Sequence, residues 1–247
     1  MKDEIVLTGI VLYTTQTNEY DKRLVVLTSE RGKVTIFANG ARRPNSPYRA
    51  ASQSFVMGKF TVLEGRDSYR LIKVDVSEYF SEISLDMQKL CYASYFCEFM
   101  SYYTREGDSC NNNLNLLYVT LKSLVQEGMD LQLIRYVYEI KLMDIEGQGI
   151  HAYSCVKCNK NDNLIFISAE AGGLICEKCE GNAKRVKRIS PTAIYTIQYV
   201  LSAPLTKLYS FRLDKKALEE LSQIVDDFRN EYVEKKFKSM EILESLA

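Results

Sequence analysis

Two pairs of cysteines, Cys155/Cys158 and Cys176/Cys179, constrain this chain more than any other feature: the pattern is C-x2-C-x17-C-x2-C. Two residues between thiols let a tight turn aim both sulfurs at one point, and two such turns supply the tetrahedral sulfur shell that Zn²⁺ accepts. Four protein ligands leave no open position, so a metal held this way supports structure and activates no water. Four unrelated core cysteines would rarely fall into two spaced pairs. The residues between them read as a ribbon, with short strands at Leu164–Ile167 and Leu174–Ile175 around a turn at Gly172-Gly173. His151 lies four residues ahead of the first pair and is left outside a shell that is already complete.

The other three cysteines, Cys91, Cys97 and Cys110, lie in or beside an apolar helical stretch and read as small buried hydrophobes. An odd total of seven, four of them in metal spacing, fits a reducing cytoplasm better than a disulfide framework. The opening Met1-Lys2-Asp3-Glu4 lacks the basic and apolar regions of a secretory signal, and no apolar run approaches a membrane span. With one histidine, no phosphate-cradling glycine loop and no G-x-S-x-G, the chain is poorly equipped for catalysis and reads as a non-enzyme.

The period of hydrophobicity changes along the chain. Five segments rich in Val, Ile, Thr, Phe and Tyr (5–13, 23–28, 33–38, 54–63 and 69–76) are separated by turn signals and predict strands. Five short strands within the first 79 residues suit a small closed barrel of the OB type, although an SH3-like barrel has a similar count. After Phe80 the period becomes helical. Helices are predicted over 86–103, 114–126 and 131–145, then from Pro191 behind a capping Ser190 to Ser202, and from Asp214 along a stripe of Leu218, Leu221, Val225, Phe228 and Tyr232. The predicted fold class is α+β multidomain: an OB-fold barrel (1–79), an α-helical domain in two parts (80–150 and 184–247), and a zinc ribbon inserted at 151–183.

Charge balances overall, with 32 basic and 32 acidic residues, but it is segregated. No acid occurs between Arg31 and Leu63, where Arg31, Lys33, Arg42, Arg43, Arg49 and Lys59 lie; the densest part is the Gly/Pro-rich loop from Gly40 to Arg49. Loops on a barrel rim are where single-strand binders meet the backbone, and arginine forks onto phosphate. A second acid-free run follows the last cysteine, with Lys184, Arg185, Lys187 and Arg188. Of the tyrosines near the barrel loops (Tyr13, Tyr20, Tyr48, Tyr69), Tyr48 is the one expected to stack on bases, because it lies inside the basic loop. The carboxylates of the last long helix read as a solvated outer face.

Several of these stretches resemble the RecO family of bacterial recombination mediators: Asp21-Lys22-Arg23-Leu24-Val25, Ser29-Glu30-Arg31-Gly32-Lys33, Gly40-Ala41-Arg42-Arg43-Pro44-Asn45-Ser46, Tyr138-Glu139-Ile140-Lys141-Leu142, the cysteine pairs and Gly172-Gly173, in order along most of the chain. The resemblance implies an OB domain, a helical domain with a zinc module, binding of single- and double-stranded DNA, and annealing of complementary strands. It also implies RecR and the acidic tail of the single-stranded-DNA-binding protein as partners, help in loading RecA, and a cytoplasmic, nucleoid-associated location. Asn18-Glu19-Tyr20-Asp21 departs from the Gly-Glu-Ser-Asp-like turn of many relatives, and Pro47-Tyr48 replaces a more basic stretch. A different reading of the same residues is a zinc-stapled scaffold whose basic surfaces take acidic-hydrophobic protein tails, with DNA contact secondary.

Overall fold

The computed structural model describes residues 4–66 and 68–246. Its N-terminal part is a closed barrel of β1 (Glu4–Gln16), β2 (Lys22–Thr28), β3 (Gly32–Ala38), β4 (Met57–Glu64) and β5 (Tyr69–Glu78), in the order β1-β2-β3-β5-β4 with β4 returning to β1. That order is an OB fold, which removes the alternative left open by strand count alone. Closure depends on β1, whose first half pairs with β4 and whose second half pairs with β2. The strand must turn a corner to do this. It does so at Gly9, where an added Cβ would lie 2.4 Å from the Leu27 carbonyl, and at a register break between Val11 and Tyr13. Alternation then fills the interior: Val34, Ile36 and Ala38 point in from β3 to meet Leu24, Val26, Phe60 and Val62.

The seam between β3 and β5 is short. Among the described residues, Ile36↔Tyr69 and Phe37↔Arg70 are the pairs there, in parallel. Backbone groups left over on either side find other partners, as buried polar groups must. The Lys33 N–H donates to the Arg105 carbonyl (3.1 Å) and the Gly107 N–H to that of Arg31 (3.0 Å), so one connecting segment covers the free edge of β3. On the β5 side, the Tyr48 hydroxyl donates to the Ile72 carbonyl at 2.7 Å. The long β3–β4 connection therefore serves as the barrel's lid.

The chain forms two compact units, residues 1–127 with 237–247, and residues 128–236. The division falls after Glu127, not at the end of the barrel. In the first unit, α1 (Met87–Tyr103) is capped by Asp86 and buries Cys91, Ala93, Tyr95, Phe96, Cys97, Phe99 and Met100. Cys110 is also buried, so the three cysteines outside the two spaced pairs are all core thiols. Beside α1 lie α2 (Asn111–Val125) and α6 (Lys238–Leu246). Phe237, just ahead of α6, inserts among Tyr95, Phe99 and Tyr102 with ring centroids 5.2–6.0 Å apart. The periodicity read over 80–145 gave α1, α2 and the helix that follows them, but not this returning helix.

The second unit contains α3 (Leu131–Ile145), α4 (Pro191–Ser202) and α5 (Lys215–Tyr232) around a three-stranded sheet of β6 (Leu164–Ser168), β7 (Gly173–Cys176) and β8 (Lys187–Arg188), in the order β7-β6-β8. Ser190 and Asp214 cap α4 and α5 by accepting from the Ala193 and Ala217 N–H groups, and Pro191 opens α4. Between α3 and α5 lies a charged cluster built around one fully buried carboxylate. Glu139 is fully buried, accepts from Arg135 Nε (2.7 Å) and pairs with Arg229 Nη1 (3.5 Å), while both arginines also reach Asp226 at 2.7 and 2.9 Å. Glu220 meets the Ser190 N–H and hydroxyl at 2.7 and 2.6 Å. The acids of α5 are thus largely committed to partners, contrary to the solvated face expected of them. Among the described residues, no helix is long and apolar enough to cross a membrane.

Candidate nucleic-acid interface and metal centre

The four cysteines converge. Their sulfurs all lie within 4.8 Å of one another, and Cys158 Sγ is 3.7 Å from Cys176 Sγ. That separation is far too long for a disulfide and close to the ~3.8 Å edge of a tetrahedron with metal–sulfur bonds of about 2.3 Å. The first turn is closed by the Asn159 N–H donating to the Cys155 carbonyl (2.8 Å), with Asn159 itself left-handed at φ 59°. The second lies in a short 3-10 segment, Glu177–Asn182, directly after β7. His151 pairs with Gly173 in a short parallel bridge, and its Nε2 meets Ser154 Oγ at 2.7 Å, outside the sulfur cluster. An added Cβ at Gly173 would lie 2.3 Å from the His151 carbonyl, so the close approach of these two segments needs glycine.

The sulfurs differ in acidity. Burial raises the Cys155 thiol, but backbone hydrogen bonds from Cys176, Lys157 and Cys158 outweigh it and bring the value down to about 6. Cys179, beside the Cys176 sulfur and then desolvated, is pushed up to about 12. Four converging sulfurs cannot all ionise without a cation to neutralise them. A soft divalent ion would supply that charge, and the donor set fits one.

The basic loop is held from below by the β1–β2 turn. The Gly40 N–H donates to Asp21 Oδ1 (2.7 Å), the Arg42 N–H to the Tyr20 carbonyl (2.9 Å), and Arg42 Nη1 to the Glu19 carbonyl (2.8 Å). Lys22 Nζ donates to the Ser52 carbonyl (2.8 Å). Burial, followed by repulsion from Arg42 and Arg49, holds the Lys22 ammonium below the usual lysine range. Three cations therefore share one small region. Arg42, Arg43 and Arg49 are exposed, and none closes an ion pair among the described residues. Lys22 escaped the sequence reading, although its position opposite Ala38 in the β2–β3 register places it at the foot of the loop.

The remaining expected contacts fare differently. Tyr48 turns inward: its ring packs on the barrel core and its hydroxyl is used by Ile72, so it is not placed to stack on bases. Lys33 donates to the carbonyl and hydroxyl of Ser101. Arg31 lies 3.9 Å from Glu64, and Lys59 is exposed on β4. In the second basic run, Arg185 pairs with Glu231 (3.2 Å) and Lys187 with Asp227, both on α5; Lys184 and Arg188 are exposed with no ion pair among the described residues. The run lacks acids in sequence but not in space.

An OB barrel with an exposed arginine loop, followed in the same chain by a helical unit carrying a four-cysteine ribbon, defines a two-unit α+β protein. Residues 1–80 match the family model described as Recombination protein O N terminal, and residues 84–241 match Recombination protein O C terminal. The chain belongs to the RecO family. It is similar to the DNA repair protein RecO of Alkaliphilus metalliredigens (30% identical over 240 residues, 96% of this chain and 98% of that one) and of Acetivibrio thermocellus (29% over 241 residues, 96% and 95%). The RecO of Desulforamulus reducens is 30% identical over 242 residues, covering 97% of this chain and 94% of the relative.

Proposed function

We propose that this chain is a non-catalytic, DNA-binding recombination mediator in DNA repair. It binds single- and double-stranded DNA, anneals complementary strands, and with RecR helps RecA load, meeting the C-terminal tail of the single-stranded-DNA-binding protein in the bacterial cytoplasm at the nucleoid. Family membership supports the repair role. The observation that carries DNA contact is the exposure of Arg42, Arg43 and Arg49, with no ion pair among the described residues, on a loop fixed by the β1–β2 turn.

The mechanism requires no bond chemistry. Arginines on a preorganised rim neutralise phosphates, and two strands held at one cationic surface repel each other less, so complementary bases can meet. Lys22 adds to the local potential from the foot of the loop. Lys59 stands on β4, and Lys184 and Arg188 form a smaller auxiliary patch. Zn²⁺, one per chain, would be held by Cys155, Cys158, Cys176 and Cys179, where it would fix the ribbon.

The test is salt dependence. Each phosphate neutralised contributes roughly −0.9 (duplex) or −0.7 (single strand) to the slope of log affinity against log salt. Replacing Arg42, Arg43 and Arg49 together by glutamine is expected to weaken binding to both forms and flatten the slope by roughly two to three units. An unchanged slope would reject the loop as the DNA contact.

The scaffold reading draws on an open cleft of about 480 Å³ lined by Ala169, Arg185, Lys187, Asp227, Asn230 and Glu231. Its cations already face α5 carboxylates, so an acidic tail would have to displace them, which favours DNA as the primary ligand.

A further inference from the structure

The geometry points to Tyr20 as a stacking residue for an unpaired base, which would make the barrel rim discriminate single-stranded from duplex DNA. This inference rests on the basic loop being a DNA contact. Tyr20 lies in the turn between β1 and β2 and keeps 43% of its surface exposed. The Arg43 guanidinium lies over its ring, 5.5 Å from the centroid, a cation–π contact that keeps the ring beside the loop's charge.

The backbone beneath is fixed on both sides. The Glu19 carbonyl, the Tyr20 carbonyl and the Asp21 carboxylate each accept from the basic loop at 2.7–2.9 Å. Within the turn, the Thr17 N–H donates to the Asp21 carbonyl (3.2 Å) and Asn18 Nδ2 to Asp21 Oδ2 (3.1 Å). A ring on so constrained a turn gives up little conformational freedom when a base settles on it.

The ligand chemistry follows from what surrounds the ring. An aromatic face takes any nucleobase, and Arg42 and Arg43 stand close enough to engage the flanking phosphates of the same strand. A duplex offers the phosphates but not the base faces, which are already covered by their neighbours. The arginines thus supply affinity for both forms, whereas Tyr20 adds to one of them. Tyr48, the aromatic inside the loop, has no such freedom because the barrel holds its ring and hydroxyl.

The experiment compares Tyr20→Leu and Tyr20→Phe with the unsubstituted full chain, using a thymine 20-mer carrying one 2-aminopurine and a mixed-sequence 20-bp duplex at one fixed salt concentration. Tyr20→Leu is expected to lose about five- to hundredfold in single-strand affinity with little change on duplex, and to relieve quenching of the 2-aminopurine. Tyr20→Phe should behave as the unsubstituted chain. Because no charge is removed, the salt slope should stay the same in both variants. Equal losses on single strand and duplex would show that Tyr20 merely positions Arg43, and would overturn the inference, as would unchanged affinity for both. If the unsubstituted chain binds neither DNA, the DNA reading itself fails and this inference with it.

Discussion

The Tyr48 hydroxyl donates to the Ile72 carbonyl across the part of the barrel that β3 and β5 leave unpaired. A tyrosine in the middle of a cationic loop thus acts as a latch for the strand at the barrel's seam. Tyr48→Phe keeps the packed ring and removes the donor, so the expected cost is about 1–3 kcal/mol in urea unfolding, with DNA affinity close to unchanged. A large loss of DNA binding without loss of stability would return Tyr48 to the binding surface.

The second expectation concerns metal. Plasma emission analysis of protein purified without added metal should find about one zinc per chain, released when a mercurial titrates the four thiols. Release should speed amide exchange in β6 and β7, whose pairing starts at Leu164↔Cys176, while exchange in the barrel strands stays the same. Retention of normal exchange in the ribbon after zinc loss would contradict a structural ion.

Glu139 provides the third. It is fully buried and answers two arginines that are themselves nearly enclosed. Glu139→Ala takes from Arg135 and Arg229 the fully buried carboxylate they share, Asp226 beside them being partly exposed, and the expected destabilisation is about 3–5 kcal/mol. Denaturant unfolding followed by circular dichroism would report it, and a loss below about 1 kcal/mol would mean that water solvates the cluster.

The fourth lies at Phe237. Its ring packs edge-on against Tyr95, Phe99 and Tyr102, and Ser239 ties the start of α6 to Glu98 at 2.7 Å. Phe237→Ala should cost about 3–5 kcal/mol and release α6, visible as protease cleavage near residue 236. Protection of that site in the variant would show that α6 holds without its anchor.

Much of this architecture was legible from local pattern. Two-residue alternation gave the barrel strands, Ser190-Pro191 and Asp214 gave helix starts, and the cysteine spacing gave a cluster that the fold does assemble. What local pattern could not supply was pairing across distance. Arg185 and Lys187 read as free cations because their carboxylate partners lie some 40 residues further along the chain. Tyr48 and Tyr20 differ in no local signal that tells inward from outward; a carbonyl 24 residues away settles the first, and an arginine on the β3–β4 loop the second. The expected fourth strand began at residue 54, yet residues up to Val56 belong to the lid, where Phe55 is left-handed at φ 71°.

The return of α6 to α1 also sets an order of events during synthesis. The barrel and its first two helices leave the ribosome early, but their last packing partner follows only after all of residues 128–236 have been made. At about 5–20 residues per second, that delay is on the order of 5–20 s. Throughout it, the aromatic surface of Tyr95, Phe99 and Tyr102 lacks Phe237 as its cover. The nascent first unit must wait with that surface open until Phe237 arrives.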